Sequence, residues 1–255
     1  YTLCLEQVLS NLPIGLGPLH KRKKILAKAS SDHLLIWAHH YDARNPQWNM
    51  DIRFHEMPAL AAENDCSVWE VGANTRAGDT ATLRKTYPHC QYHAYEPIPG
   101  YYVELEKNWK DVPNVHTHMY GLAKDESTFQ LSASSLNEQA TYIGDFSTSK
   151  TDNNSNMVSA KIQTFDYAVQ DAGGKIPTLI HMNCEGCEWD LLPGAVESGF
   201  IRKIKIIQVG FHNYGSVGLG KRGLEYCHIR QLLSQTHNLV PNAVPFGWER
   251  WILKE

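Results

Sequence analysis

Short β-rich runs alternate with helix-length segments through most of this chain, and that rhythm constrains the fold more than any other feature. The runs are 67–71 (SVWEV), 91–95 (QYHAY), 115–119 (VHTHM), 178–182 (TLIHM) and 205–209 (KIIQV), each bounded by Gly, Pro, Asn or Asp. Helices are predicted over 80–87, 100–109, 165–172, 188–198 and 224–235, the third stopped by Gly173-Gly174 and the fourth by Gly199. Strands joined through helices require right-handed crossovers, so the sheet is mostly parallel and a ligand is expected at the carboxyl ends of its strands. Segments 237–240 and 248–253, around Pro241 and Pro245, read as a closing hairpin.

The first 64 residues break the rhythm. They hold a basic run at 21–24 (KRKK), most simply a solvated helix face, and a stretch rich in His and aromatic residues. The expected organisation is an N-terminal helical cap over 1–64 and a ligand-binding α/β domain over 65–255. The polar stretch 144–156 reads as a surface loop. With 42% apolar and 20% charged residues the chain can bury a sizeable core, while a net charge of −3 leaves no global basic field for phosphates. No nucleic acid partner is expected. No apolar run approaches the ~20 residues that cross a bilayer, so no membrane span is expected within these residues. Six cysteines and an Asn-x-Ser acceptor at 153–155 favour the secretory pathway, such as the Golgi lumen, over the alternative of the cytoplasm.

Polar chemistry collects at three strand ends. The first reads VWEVGANTRAGDT (68–80): Glu70 near the end of a strand, Gly72 and Gly78, then a helix start at Thr80. Gly72 lets the backbone turn sharply toward a ligand, and free amides at the helix start favour an anionic group. The dinucleotide pattern G-x-G-x-x-G fails at Asn74 and Ala77, which disfavours NAD. The second strand end is Glu96-Pro97, placed 26 positions after Glu70, where a βαβ unit presents a carboxylate to ribose hydroxyls. The third is MNCEGCEWD (182–190).

The runs E-V-G-A-N (70–74), Y-E-P-I-P-G-Y-Y (95–102) and N-C-E-G-C-E-W-D-L-L-P-G-A (183–195), in this order, resemble the FkbM-type S-adenosylmethionine-dependent methyltransferases. Within them, C-E-G-C-E-W is similar to the animal methyltransferase-like 24 group. The resemblance spans about residues 66–213. It implies a class I methyltransferase, Rossmann-like fold with a seven-stranded, mostly parallel sheet and helices on both faces. S-adenosylmethionine is the implied cofactor. Carried over by position, Glu70 would hold the methionine amino group, Gly72, Ala73 and Asn74 the turn beneath it, Glu96 with Pro97 the ribose, and Gly121 and Leu122 the adenine. Two positions depart from the family. Arg76 replaces a usual Gly, with Gly78 able to supply the flexibility and Arg76 able to pair with the methionine carboxylate. Asn183 replaces a usual Asp, and an amide cannot act as a base.

The resemblance also implies methyl transfer to oxygen, often of a sugar. The expected function is therefore O-methylation of a carbohydrate hydroxyl, such as a terminal hexose of a glycan or glycoconjugate. A non-sugar small-molecule or peptide acceptor and a catalytically silent cofactor-binding protein are the alternatives. An alcohol acceptor needs a base, and His212, after the fifth strand, is the first candidate. Glu185 and Glu188 would orient the acceptor, join His212 around a divalent ion or serve as base; the spacing is no recognised metal motif, and no metal is expected. A single Cys184-x-x-Cys187 is weak as a zinc or redox motif; a local or long-range disulfide is one reading of it, and the state of the six cysteines stays open. Trp189, Tyr214 and Trp48 are candidate acceptor contacts, since sugar rings stack on aromatic faces.

Overall fold

The structure, a computed structural model, describes residues 53–132, 157–212, 219–241 and 247–255. Trp48, Tyr214, Cys4, the basic run and the 153–155 tripeptide lie outside the described residues. In chain order the elements are α1 (Pro58–Ala62), β1 (Ser67–Val71), α2 (Gly78–Thr86), β2 (Gln91–Tyr95), α3 (Pro99–Trp109), β3 (Val115–His118), β4 (Gly121–Ala123), β5 (Ser127–Ser132), β6 (Met157–Thr164), α4 (Phe165–Asp171), β7 (Leu179–Met182), α5 (Glu188–Glu197), β8 (Ile206–Gly210), α6 (Leu219–Leu233), β9 (His237–Leu239) and β10 (Trp248–Leu253).

Seven strands make one sheet in the order β3-β2-β1-β7-β8-β10-β9. β3, β2, β1, β7 and β8 are parallel, and β10 runs antiparallel to both β8 and β9, closing the sheet with the expected hairpin. All five residues of β1 and of β8 are buried, as strands covered on both faces require. One face packs Val68, Tyr92, Leu179 and Ile206 under α1, α2 and α3 through Leu60, Leu83, Leu105 and Trp109. The opposite face packs Trp69, Val71, Ile180 and Ile207 under α4, α5 and α6 through Phe165, Leu191, Tyr226 and Leu233. This is the class I methyltransferase architecture. The chain reverses its progress across the sheet between β1 and β7, and a crevice at such a switch point is where open α/β sheets bind ligands.

The described residues of the expected cap do not stand apart from the sheet. Met57 and Leu60 are buried in the same core as β1. The Met57 N–H donates to the Tyr87 hydroxyl at 2.7 Å, and the Arg250 guanidinium donates to the His55 and Glu56 carbonyls at 3.3 Å each. A second sheet, in the order β4-β6-β5, goes beyond the sequence reading; it carries Gly121, Leu122 and Ile162 to the rim of the crevice.

The turn after β1 explains how the dinucleotide-type turn survives without two of its glycines. Gly72 (φ 89), Asn74 (φ 54) and Ala77 (φ 44) all take left-handed conformations, so the two substituted positions hold the backbone that glycine would adopt. Asn tolerates this region through its short polar side chain, whereas Ala bears the steric cost. At Gly72 no side chain fits, because a Cβ would collide with the Asn183 carbonyl and the Cys184 Cα. Opposite effects are therefore expected in urea unfolding. Ala77→Gly should raise the midpoint by up to about 1 kcal/mol of stability, and Gly72→Ala should lower it by about 2 kcal/mol or more, with unchanged slopes.

Candidate active site

The crevice is a cleft partly open to solvent. Three chain segments meet there. The turn after β1 contributes Gly72 and Asn74, the end of β2 contributes Glu96 and Pro97, and the turn from β7 into α5 contributes Asn183, Cys184, Glu185 and Cys187. Gly121 and Leu122 complete one wall with Ile162. Seven of the residues expected to hold the cofactor thus come together from positions more than a hundred residues apart.

Each turn is fixed by hydrogen bonds to a neighbouring strand or a buried carboxylate. The Gly72 and Ala73 amides donate to the Tyr95 carbonyl at 3.1 and 3.0 Å, tying the first turn to β2. Glu96 accepts the Asn74 N–H at 2.8 Å and the Ile98 N–H at 2.9 Å, one on each carboxylate oxygen. Each oxygen keeps a further lone pair, the acceptor geometry that two ribose hydroxyls need. Burial pushes the Glu96 carboxyl up to about 7, against the downward pull of those amides.

Glu70, expected to hold the methionine amino group, is not among the cleft-lining residues. Its carboxylate accepts the Thr80 N–H at 2.7 Å and so holds the first turn of α2. Burial raises Glu70 to about 7 against the charge of His181, which bonds Asp79 at 2.7 Å. Arg53, from the N-terminal segment, donates to the same Asp79 at 3.2 Å. Thr80 is buried beside this network, away from the cleft. Arg76 is exposed, lies outside the cleft lining and accepts the Trp109 indole N–H on its backbone carbonyl at 2.9 Å; Gly78 is exposed as well. A pairing of Arg76 with the methionine carboxylate therefore finds no support, and its departure from the family pattern leaves the cleft undisturbed.

The third turn carries the acidic pair. Glu188 is wholly buried, accepting the Gly186 N–H at 3.0 Å and the His212 N–H at 2.5 Å. The His212 ring stands between two carboxylates, with Nδ1 3.3 Å from Glu188 and Nε2 3.5 Å from Glu185. Burial alone would lower the imidazole pKa, but Glu188 and Glu185 outweigh it and raise it above the ordinary value. Glu185 lines the cleft and His212 lies behind it, so the carboxylate is the nearer of the two to a bound ligand. The Trp189 indole N–H donates to the His212 carbonyl at 2.5 Å and its ring packs on Phe211, which makes Trp189 a support for His212. The sequence reading missed Ile98, Tyr101 and Ile162 in the lining; Ile98 and Tyr101 lie inside the quoted Y-E-P-I-P-G-Y-Y run, whereas Ile162 had no local signal.

Cys184 and Cys187 form a disulfide across this turn, and Cys66 and Cys90 form another at the starts of β1 and β2. The sulfurs of Cys184 and Cys187 lie near a Glu188 oxygen, but in this oxidation state they offer no thiolate to a metal.

Fold and cleft together define a class I S-adenosylmethionine-dependent methyltransferase. The sequence matches the methyltransferase FkbM domain over residues 70–238, more than half of its length, and the chain belongs to that family. No curated protein sequence matches it. Among solved structures it is similar to a chain of a fibrillarin/Nop5p complex, with 8% identity over 80% of this chain and 83% of that one and a TM-score of 0.44. Methanococcus jannaschii fibrillarin, a pre-rRNA processing protein, gives 11% identity, coverages of 82% and 76% and a TM-score of 0.42. The plantazolicin methyltransferase BpumL, in complex with a triazolic desmethylPZN analog and SAH, gives 7% identity, full coverage of both chains and a TM-score of 0.40. Likeness at this level says nothing of the acceptor. No helix among the described residues is long and apolar enough to cross a membrane.

The cofactor is S-adenosylmethionine, and the residues present fit it: a buried carboxylate with lone pairs to spare for a diol, and a turn at Gly72 that excludes any side chain. Since the ionised form of Glu96 is the better acceptor, affinity for S-adenosylhomocysteine should rise about tenfold from pH 6 to pH 8. Titration calorimetry should find Glu96→Gln weaker by about 1.5–3 kcal/mol and flat across that range. An unchanged affinity in Glu96→Gln would remove Glu96 from the ribose site.

Proposed function

We propose that this chain is an O-methyltransferase acting on a hydroxyl of a carbohydrate, such as a terminal hexose of a glycan or glycoconjugate. The observation that carries the reading is the His212 ring held between Glu188 and the cleft-lining Glu185. A neutral hydroxyl must lose its proton as the new C–O bond forms, and a histidine buttressed by carboxylates is suited to take it. The FkbM relationship and a near-neutral chain support an uncharged, hydroxyl-bearing acceptor.

The bound cofactor supplies an electrophilic methyl group on a sulfonium, and the chain supplies the rest. Glu96 would hold the ribose and the turn at Gly72 the methionine end. Glu185, on the cleft wall, accepts a hydrogen bond from a neighbouring hydroxyl of the acceptor and orients it. His212 is the base, taking the proton on Nε2, while Glu188 fixes the ring through the backbone N–H and stabilises the cation that results. Trp189 clamps the peptide carbonyl of His212 from the other side. Asn183 neutralises no charge and acts as a cleft-lining contact. Trp48 and Tyr214 stay in this reading as acceptor contacts.

Within the family, the C-E-G-C-E-W run supports placing the chain beside the animal methyltransferase-like 24 group. The disulfides support an oxidising compartment such as the Golgi lumen.

Incubation with methyl-labelled donor and a panel of glycosides tests the acceptor; labelling only of phenols, lipids or peptides would overturn the carbohydrate assignment. His212→Ala should lower kcat by about 10²–10⁴-fold with S-adenosylhomocysteine affinity intact. As the neutral imidazole is the active form, wild-type turnover should rise with pH through a midpoint above 6.5. Glu188→Gln should move that midpoint down, because it removes a negative charge that favours the cation.

A further inference from the structure

The geometry points to the Cys184–Cys187 disulfide as a positioning element of the cleft, so that cofactor binding and turnover follow its oxidation state. The turn it closes carries unusual strain. Between β7 and α5, Glu185 (φ 54) and Gly186 (φ 119) occupy consecutive positive-φ conformations, and a residue with a side chain stays in such a region only when its surroundings hold it there. The disulfide brackets these two residues, with the flanking Cα atoms 5.5 Å apart. Both cysteines and Glu185 line the cleft. The same turn presents the Gly186 N–H to Glu188, the carboxylate that also anchors His212. The bond therefore fixes at once a stretch of cleft wall and the link from that wall to His212.

The two disulfides with both partners described differ in access. Cys66 and Cys90 are buried at 1% and 0% exposure, in the core under α1 and α2. Of the cleft-lining pair, Cys184 is partly exposed and Cys187 is buried. A small dithiol can reach Cys184 without unfolding the chain. One of its thiolates attacks the Cys184 sulfur, forming a mixed disulfide and releasing Cys187 as a thiolate. Its second thiol then displaces the Cys184 thiolate, so the dithiol leaves as a cyclic disulfide, having given two electrons to the cystine. The protein thiolates take up the two protons that the dithiol loses.

The turnover consequence rests on the reaction proposed above; the binding consequence needs only the cofactor. Calorimetry with S-adenosylhomocysteine on the whole chain, through a dithiol titration and after reoxidation, is the test. Mass spectrometry of alkylated aliquots reports which pair has opened, and a thermal melt of each sample reports the fold. Opening of Cys184–Cys187 with a cooperative melt retained should weaken binding about tenfold or more, and reoxidation should restore it. Cys184→Ser/Cys187→Ser should start at the weakened affinity and ignore dithiol. Wild-type affinity in that variant, or a loss that tracks the opening of Cys66–Cys90 or the disappearance of the melt, overturns the proposal. Should the variant fail to fold, the wild-type titration decides alone. No binding by the oxidised chain would overturn the cofactor assignment and this proposal with it, whereas binding indifferent to the bond overturns this proposal only.

Discussion

Buried carboxylates that accept backbone amides hold this site together. Glu70 takes the Thr80 N–H, Glu96 takes those of Asn74 and Ile98, and Glu188 takes those of Gly186 and His212. Glu70 and Glu96 sit at or just past strand ends and Glu188 opens α5, and each accepts amides that have no ladder partner. A buried amide without an acceptor costs about 1–3 kcal/mol, so the three glutamates are what allow tight irregular turns to lie against a packed sheet. Charge-assisted bonds of this kind also define each turn's geometry more sharply than a neutral acceptor would. The parallel pairing of β1 with β7 then sets the turns side by side, closely enough that the Asn183 carbonyl leaves no room for a side chain at Gly72.

The same burial that makes these carboxylates useful tunes them. Glu70 and Glu96 are raised to about 7, so their contribution to folding is fully present below the ordinary carboxylate pKa and is lost as pH rises through about 7. Asp79 and Asp171 run the other way. Burial works against them, yet His181 with Arg53 at Asp79, and Tyr120 with His118 at Asp171, hold both below the ordinary value. Their contribution is present above that value and fades as pH falls through the lowered one. The imidazoles of His93, His118 and His237, which burial holds below the ordinary value, likewise lose their contribution as pH falls, while ionised Glu96 and neutral His212 are favoured toward the alkaline side.

How much was readable before folding depended on whether a signal was local. The strands at 67–71 and 91–95 were legible to the residue, because short runs of β-branched and aromatic residues are bounded there by turn residues. The mostly parallel pairing of the sheet followed from the alternation with helices, whereas its strand order did not. The small sheet of β4, β5 and β6 was not legible, since its strands are separated by residues 133–156 and pair across that gap. Glu96 was readable because a βαβ unit fixes where the second strand ends. Glu70 occupied an equally suggestive place, but sequence shows only that a carboxylate stands near a turn, and not which side of the strand it faces. Its partner, Thr80, settles the direction.

Asn183 illustrates how charge limits what such a turn can hold. Glu185 and Glu188 already flank one imidazole, and a cationic His212 balances only one of the two. An aspartate at 183, the usual residue of the family, would add a third carboxylate to the same short turn and leave it doubly negative even with His212 charged. Like charges at close range in a poorly hydrated site raise one another's pKa, so one of the acids would take up a proton. With an amide at 183, the turn keeps a polar contact in the cleft lining without a third carboxylate. The substitution that seemed to subtract a base therefore leaves His212 between Glu185 and Glu188 alone.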